Sequence, residues 1–109
     1  MVGNDGVGNF IGVAPSARWT ACRNMDNGVG TVATYTECFE FLFAPYRLGG
    51  DPQKEGRPEY APHILNNSWG CEKSEGCQGD EFGDILKIFY QAGTMVVVSA
   101  GNNGLCGTI

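Results

Sequence analysis

Three short segments rich in glycine, asparagine and serine each follow a predicted β-strand of this chain. They are residues 26–30, 67–70 and 100–104. If the strands are parallel, their carboxyl ends lie along one edge of the sheet, which is where such sheets bind ligands. The three segments would then bring polar backbone groups together along this edge, which we call the rim. We expect the functional site at that rim.

The pattern does not bring together a nucleophile and a base. His63 is the single histidine, and it begins a predicted strand, so we expect a strand-end residue rather than a general base. Cys38 has no histidine or acid placed beside it and is not a candidate nucleophile. We therefore expect this chain to be inactive by itself.

Alternating strands and helices position the three segments. Strands are predicted at residues 17–24, 63–67 and 95–99. Helices are predicted over residues 31–43 and from residue 78 or 80 to 92. Thr31 can cap the first helix, Gly93 fits the end of the second, and residues 46–62 form a polar loop. This order predicts an α/β fold with a parallel sheet.

Both helices carry an apolar face at three- and four-residue spacing. The side chains expected to face inward are those of Tyr35, Cys38, Phe39, Leu42, Phe82, Ile85, Leu86, Phe89 and Tyr90. The β-branched run of the last strand is typical of a strand covered on both faces.

Composition limits the class of protein. The net charge of −5 argues against nucleic acid as a partner, because phosphate binding needs a basic surface. No apolar run reaches the roughly 18 residues of a membrane span, so no membrane partner is expected. Among the five cysteines, Cys71 and Cys77 are the favoured local disulfide, which needs an oxidising compartment. The odd count leaves at least one cysteine free or paired outside this segment.

The sequence resembles the subtilisin-like serine peptidases along nearly its whole length. Residues 12–15 (Gly-Val-Ala-Pro) resemble the segment after the catalytic-histidine helix of that family. Residues 66–70 (Asn-Asn-Ser-Trp-Gly) resemble its Asn-x-Ser-x-Gly strand end, and residues 96–104 its strand leading into Ala-Gly-Asn-x-Gly. The resemblance implies a three-layer αβα fold with a parallel sheet, incomplete in this chain. Residues 1–109 then form part of a peptidase domain, between the catalytic-histidine helix and the region after the oxyanion-hole asparagine.

The resemblance also assigns roles to residues of the three segments. Asn102 takes the place of the oxyanion-hole asparagine, whose side-chain amide donates a hydrogen bond to the negative oxygen of the tetrahedral intermediate. The implied substrate-binding residues are Ser68, Trp69 and Gly70 as one pocket wall, Ala100 and Gly101 as the facing wall, and Gly28, Val29 and Gly30 as an edge that pairs with the substrate in antiparallel fashion. Trp69 is also a candidate core residue.

The resemblance further implies a secreted, extracellular serine endopeptidase. Its partners are a peptide or protein substrate and the remainder of the peptidase domain, which supplies the aspartate, histidine and serine of the triad. The family often binds calcium in the loop before residue 12, where Asn4, Asp5 and Asn9 carry oxygens. A single carboxylate favours a plain surface turn over a structural calcium site, and no metal ligand is assigned.

Two alternatives come from other functional classes. Residues 28–33 fit the pattern G-x-G-x-x-A of nucleotide-binding βαβ modules, although polar residues precede the first glycine. The other alternative is a non-catalytic extracellular domain that keeps the peptidase fold and binds peptides, because the triad positions lie outside this chain. The residues that flank this segment in the full-length protein discriminate between that domain and a peptidase.

Overall fold

Two parallel strands and two main helices form the centre of the computed structural model, which describes residues 1–102 and 104. The strands are β1 (Met25–Asp26), β2 (Val29–Gly30), β3 (Ile64–Asn67) and β4 (Met95–Val98). The α-helices are α1 (Val32–Phe43), α2 (Pro52–Glu55) and α3 (Gly83–Gln91), and short 3-10 helices span Pro58–Tyr60 and Lys73–Glu75.

The predicted parallel pairing of the second and third strands is confirmed. β3 pairs with β4 in a register that places Ile64 beside Met95 and Asn67 beside Val98. A further backbone hydrogen bond, 3.0 Å from the amide of Ser99 to the carbonyl oxygen of Asn67, continues the ladder past the strand ends. Both carboxyl ends therefore lie at the same edge, as the sequence analysis expected.

The predicted strand at residues 17–24 is wrong, because the structure has no strand there. Two contacts tie this stretch to α1 instead of to the sheet. Cys22 forms a disulfide with Cys38, and the hydroxyl of Thr34 donates to the carbonyl oxygen of Asn24 at 2.9 Å. These contacts involve only Cys22 and Asn24, and among the described residues no strand pairs with the stretch to form a ladder.

A two-residue hairpin joins β1 and β2 directly after this stretch. Asn27 and Gly28 both adopt positive φ, 49° and 82°, which is the geometry that a two-residue hairpin loop favours. Asp26 then faces Val29 across the turn. The segment that the sequence analysis placed at a strand end is therefore the tip of a hairpin.

The first predicted helix is confirmed at both ends. Thr31 is the N-cap of α1, with its hydroxyl accepting from the amide of Thr34 at 3.2 Å. Tyr35, Cys38 and Phe39 are buried, as their spacing predicts. The helix thus rests one apolar face on the core.

The second predicted helix begins later than expected. α3 starts at Gly83, because the carboxylate of Glu81 accepts the amides of Gln78 and Gly79 and holds them in a separate turn. Its end agrees with the prediction, since Gly93 follows with φ at 88°. The inward position predicted for Tyr90 is wrong: its side chain is 80% exposed, while the adjacent Phe89 faces the core.

Both main helices pack on the same face of the β3–β4 pair. The buried cluster joins Phe39 of α1, Leu65 of β3 and Phe89 of α3, with Val96 of β4 packed against it. Among the described residues the last strand is not covered on both faces as predicted, because Met95 and Val97, on the face opposite Val96, are 63% and 43% exposed. This chain thus provides one helical layer on a parallel sheet. No helix of the described residues is both long and apolar enough to cross a membrane.

Candidate substrate-binding site

The carboxyl ends of β3 and β4 bring Ser68 and Asn102 into contact. The side-chain Nδ2 of Asn102 donates a hydrogen bond to the main-chain oxygen of Ser68 at 3.0 Å. The hydroxyl of Ser68 in turn accepts from Nδ2 of Asn66 at 2.8 Å. The parallel register produces this arrangement, because it ends the two strands at the same level of the sheet. Two of the three predicted segments therefore meet.

The hairpin segment reaches the same region through the side chain of Glu75. One carboxylate oxygen of Glu75 accepts from the amide of Gly30 at 2.7 Å and from the hydroxyl of Tyr35 at 2.9 Å. The ring of Tyr35 stacks on that of Trp69. A chain of contacts thus runs from Gly30 through Glu75 and Tyr35 to the predicted pocket wall.

Trp69 lies between the wall and the core. Its side chain is half-buried and contacts the ring of Phe82 edge-on, with centroids 6.0 Å apart, and that of Phe39 at 5.9 Å. The two roles that the sequence left open for Trp69 are compatible, because one part of the side chain packs on the core while another stays accessible.

Ala100, Gly101 and Gly70 lie exposed beside these contacts. Gly101 has a φ of 122°, a conformation that L-residues rarely adopt, and it directs the chain from β4 towards Asn102. His63 borders β3, where its carbonyl oxygen accepts from the amide of Met95 at 2.9 Å. The predicted segment extends to residue 104, and position 103 lies outside the described residues.

Electrostatics reinforce the Glu75–Tyr35 pair. The hydrogen bond from the Gly30 amide, followed by that from the Glu72 amide, lowers the pKa of the Glu75 carboxyl. Burial, together with the neighbouring Glu75 carboxylate, raises the pKa of Tyr35 to about 12. Sequence reasoning missed this pair. The available signal was a tyrosine at an inward helix position, whose hydroxyl needs a partner when buried.

The described residues contain two disulfides, of which one was predicted and the other was not. Cys71–Cys77 closes the loop that carries Glu75, as expected, with the two Cα atoms 5.7 Å apart. Cys22–Cys38 was not predicted, because residue 22 was assigned to a strand of the sheet. The fifth cysteine, Cys106, lies outside the described residues.

The loop considered for calcium uses its oxygens locally. Oδ1 of Asp5 accepts the amides of Val7 and Asn9 at 2.9 and 3.0 Å, and Oδ1 of Asn4 accepts that of Gly6 at 2.8 Å. The first of these bonds, to Val7, is the main reason that the pKa of Asp5 is lowered. This donor set fits calcium poorly, and within residues 1–102 and 104 no three His, Cys, Asp or Glu side chains form a metal-binding group.

Sequence comparison decides the family. A model described as the subtilase family (Peptidase_S8) matches residues 1–108. The chain belongs to the subtilase family. Bacillopeptidase F of Bacillus subtilis (strain 168) is 38% identical to it over 107 residues, which are 96% of this chain. The chain spans only 7% of the length of that relative. No solved structure matches it significantly.

Membership of the subtilase family accounts for the architecture. The family fold has three αβα layers around a parallel sheet, and the β3–β4 pair with α1 and α3 on one face is part of it. The nucleotide-binding alternative is wrong. Gly28 lies in a hairpin turn that pairs β1 with β2, and not in a loop that joins a buried strand to a helix.

Proposed function

We propose that this chain is a segment of a secreted subtilase-family serine endopeptidase, in which Asn102 stabilises the oxyanion. The observation that carries the proposal is the hydrogen bond from Asn102 to the main-chain oxygen of Ser68, at the joint carboxyl ends of β3 and β4. The triad residues are supplied by the remainder of the peptidase domain.

The contact with Ser68 suits an oxyanion donor. A carbonyl oxygen only accepts hydrogen bonds, so it orients the Asn102 amide with its nitrogen, not its oxygen, towards Ser68. That nitrogen carries two hydrogens, and the bond to Ser68 uses one. The second can serve the negative oxygen of the tetrahedral intermediate. An amide that is already fixed needs no reorganisation during the reaction, which is what makes such donors effective.

The flanking residues fit the walls of a pocket for a substrate side chain. Ser68, Trp69 and Gly70 follow β3, and Ala100 and Gly101 follow β4. A Cβ at Gly70 would meet no atom of the described residues within 4 Å. The hairpin segment of Gly28, Val29 and Gly30 is the proposed edge along which an extended peptide pairs. A peptide or protein is therefore the proposed substrate.

The disulfides support secretion. Both bonds among the described residues, Cys22–Cys38 and Cys71–Cys77, persist in oxidising compartments and are rare in the reducing cytosol. The net charge of −5 gives no support for a nucleic-acid partner.

Kinetics of the full-length protein test the role of Asn102. Asn102→Leu keeps a side chain of similar size and removes the donor, so we expect kcat to fall about 10²–10³-fold with little change in KM. Labelling with a serine-directed fluorophosphonate counts intact sites and separates this loss from misfolding. A kcat within about threefold of the wild type would exclude Asn102 as the oxyanion donor.

The same reagents test the peptidase function itself. Wild-type full-length protein that neither hydrolyses casein nor reacts with the fluorophosphonate would exclude a serine peptidase. Peptide binding without turnover would then favour the non-catalytic alternative.

A further inference from the structure

The edge of β2 that faces away from β1 is already hydrogen-bonded to a side chain of the same chain. Asp26 pairs with Val29 next to the turn, so the polar backbone groups of Val29 face β1 and those of Gly30 face the other way. The amide of Gly30 donates to Glu75, which lies 45 residues further along the chain. The donor that an added peptide strand needs at this position is therefore engaged within the chain.

A substrate backbone competes poorly for this donor. The acceptor is a carboxylate oxygen at 2.7 Å, and charge-assisted hydrogen bonds of this kind are about twice as strong as those to a neutral peptide carbonyl. Gly30 is also buried, unlike Gly28 and Val29 on the same hairpin. A peptide must both displace the carboxylate and reach a covered backbone group.

Glu75 is held in place from several sides. The hydroxyl of Tyr35 donates to the same oxygen at 2.9 Å, and the amide of Glu72 donates to the second oxygen at 3.1 Å. The Cys71–Cys77 disulfide closes the loop around it. The Tyr35 ring occupies the space next to Gly30 where a Cβ would lie, so the hairpin also packs closely against α1.

We propose that Glu75 is a specificity-determining residue that closes the Gly30 end of the substrate-pairing edge. Backbone pairing with the substrate is then confined to the Gly28 end, and recognition covers a shorter stretch of peptide than the open edge would allow. This inference rests on the proposed function, since it concerns the peptide that the same site binds.

The test uses the full-length protein and peptides lengthened one residue at a time at either end of a fixed cleavage site. For the wild type we expect kcat/KM to stop rising at a definite length. Glu75→Ala frees the Gly30 amide and should raise kcat/KM about fivefold or more for longer peptides, through KM, because a peptide gains one backbone hydrogen bond. Shorter peptides should change by less than about twofold.

Matched variants separate this effect from loss of structure. Ser74→Ala alters an exposed residue of the same loop and should match the wild type at every length. Glu75→Gln keeps an acceptor without charge and should fall between wild type and Glu75→Ala. Tyr35→Phe removes one of the bonds that hold the carboxylate, and gives a smaller change in the same direction if Glu75→Ala does not fold.

Two outcomes would overturn the proposal. An equal loss of kcat/KM at all lengths in Glu75→Ala would make Glu75 a structural brace, and unchanged kinetics at all lengths would leave it without a role in recognition. Failure of the proposed function looks different, because no peptide is hydrolysed by any variant. Binding of the same peptides, followed by fluorescence anisotropy, then decides whether Glu75→Ala lengthens the recognised stretch.

Discussion

The ring of Tyr35 lies parallel to the indole of Trp69, with 4.2 Å between centroids and 7° between planes. Tyr35 belongs to the first turns of α1, directly after the hairpin, whereas Trp69 follows β3. The stack therefore fixes the distance between two segments that are far apart in sequence and that are both proposed to contact the substrate. Tyr35 itself has no exposed surface, so any effect that it has on the candidate site passes through its contacts with Trp69 and Glu75.

Removing the indole should affect stability and recognition together. We expect Trp69→Ala to lower the free energy of unfolding by about 3 kcal/mol, because it leaves a cavity beside Tyr35 and Phe82. KM for peptide substrates should rise as well. Trp19→Ala makes the same substitution at a side chain that is 75% exposed, and it should cost less than about 0.5 kcal/mol. Denaturant unfolding of both variants checks this, and equal costs would contradict it.

The hydroxyl of Tyr35 should lose its proton at a higher pH than an ordinary tyrosine. Its pKa is raised from 10.0 to about 12, so the neutral phenol is favoured in the folded state. The stabilisation is complete below about pH 10 and is lost as the pH rises from about 10 to about 12. Absorbance at an ultraviolet wavelength specific for phenolate should show one step near pH 12 that Tyr35→Phe abolishes. Tyr90→Phe, which alters an exposed tyrosine, should retain it.

The parts of the fold that follow from local pattern were predictable from the sequence. The Thr31 cap, the apolar face of α1 and the β-branched run of β4 each express a short-range preference, and the structure has all three. The stretch at residues 17–24 shows the limit of this reasoning. Its alternation suits a strand, but a strand also needs a partner, and no local pattern encodes the Cys22–Cys38 bond that ties this stretch to α1.

The strand ends predicted the edge of the sheet where the candidate site lies, and the family motifs supplied the roles proposed for its residues. The segments around Ser68 and Asn102 were recognised from their residue order, and the parallel register then brings them together. Glu75 carries no such motif. Its position depends on a disulfide loop folding back over Gly30, a contact between residues 45 positions apart that no periodicity encodes.

The two disulfides should contribute unequally to stability. Cys22–Cys38 spans 16 residues and Cys71–Cys77 spans 6, and a longer closed loop restricts the unfolded chain more. We expect replacement of the first pair by serine to cost about 3 kcal/mol and that of the second about 2 kcal/mol. Thermal unfolding of the two double variants measures the order, and a larger loss from the shorter loop would contradict it.

Gly70→Ala tests whether Gly70 contacts the substrate or only supports the fold. A Cβ at Gly70 would have no atom of the described residues within 4 Å, so this part of the fold has space for the methyl group. We therefore expect the melting temperature to stay within about 2 °C of the wild type. If a substrate side chain passes along this wall, the same methyl group obstructs it, and kcat/KM for bulky residues at the cleavage site should fall about tenfold or more.

Gly30→Ala provides the contrasting variant. A Cβ there would overlap the ring of Tyr35, so this change should destabilise the fold by about 1–3 kcal/mol and disturb all substrates alike. Steady-state kinetics with small and bulky side chains at the cleavage site, paired with melting curves, distinguish the two cases. Unchanged discrimination between small and bulky residues in Gly70→Ala would exclude Gly70 from the pocket wall, because no other effect of the methyl group is expected.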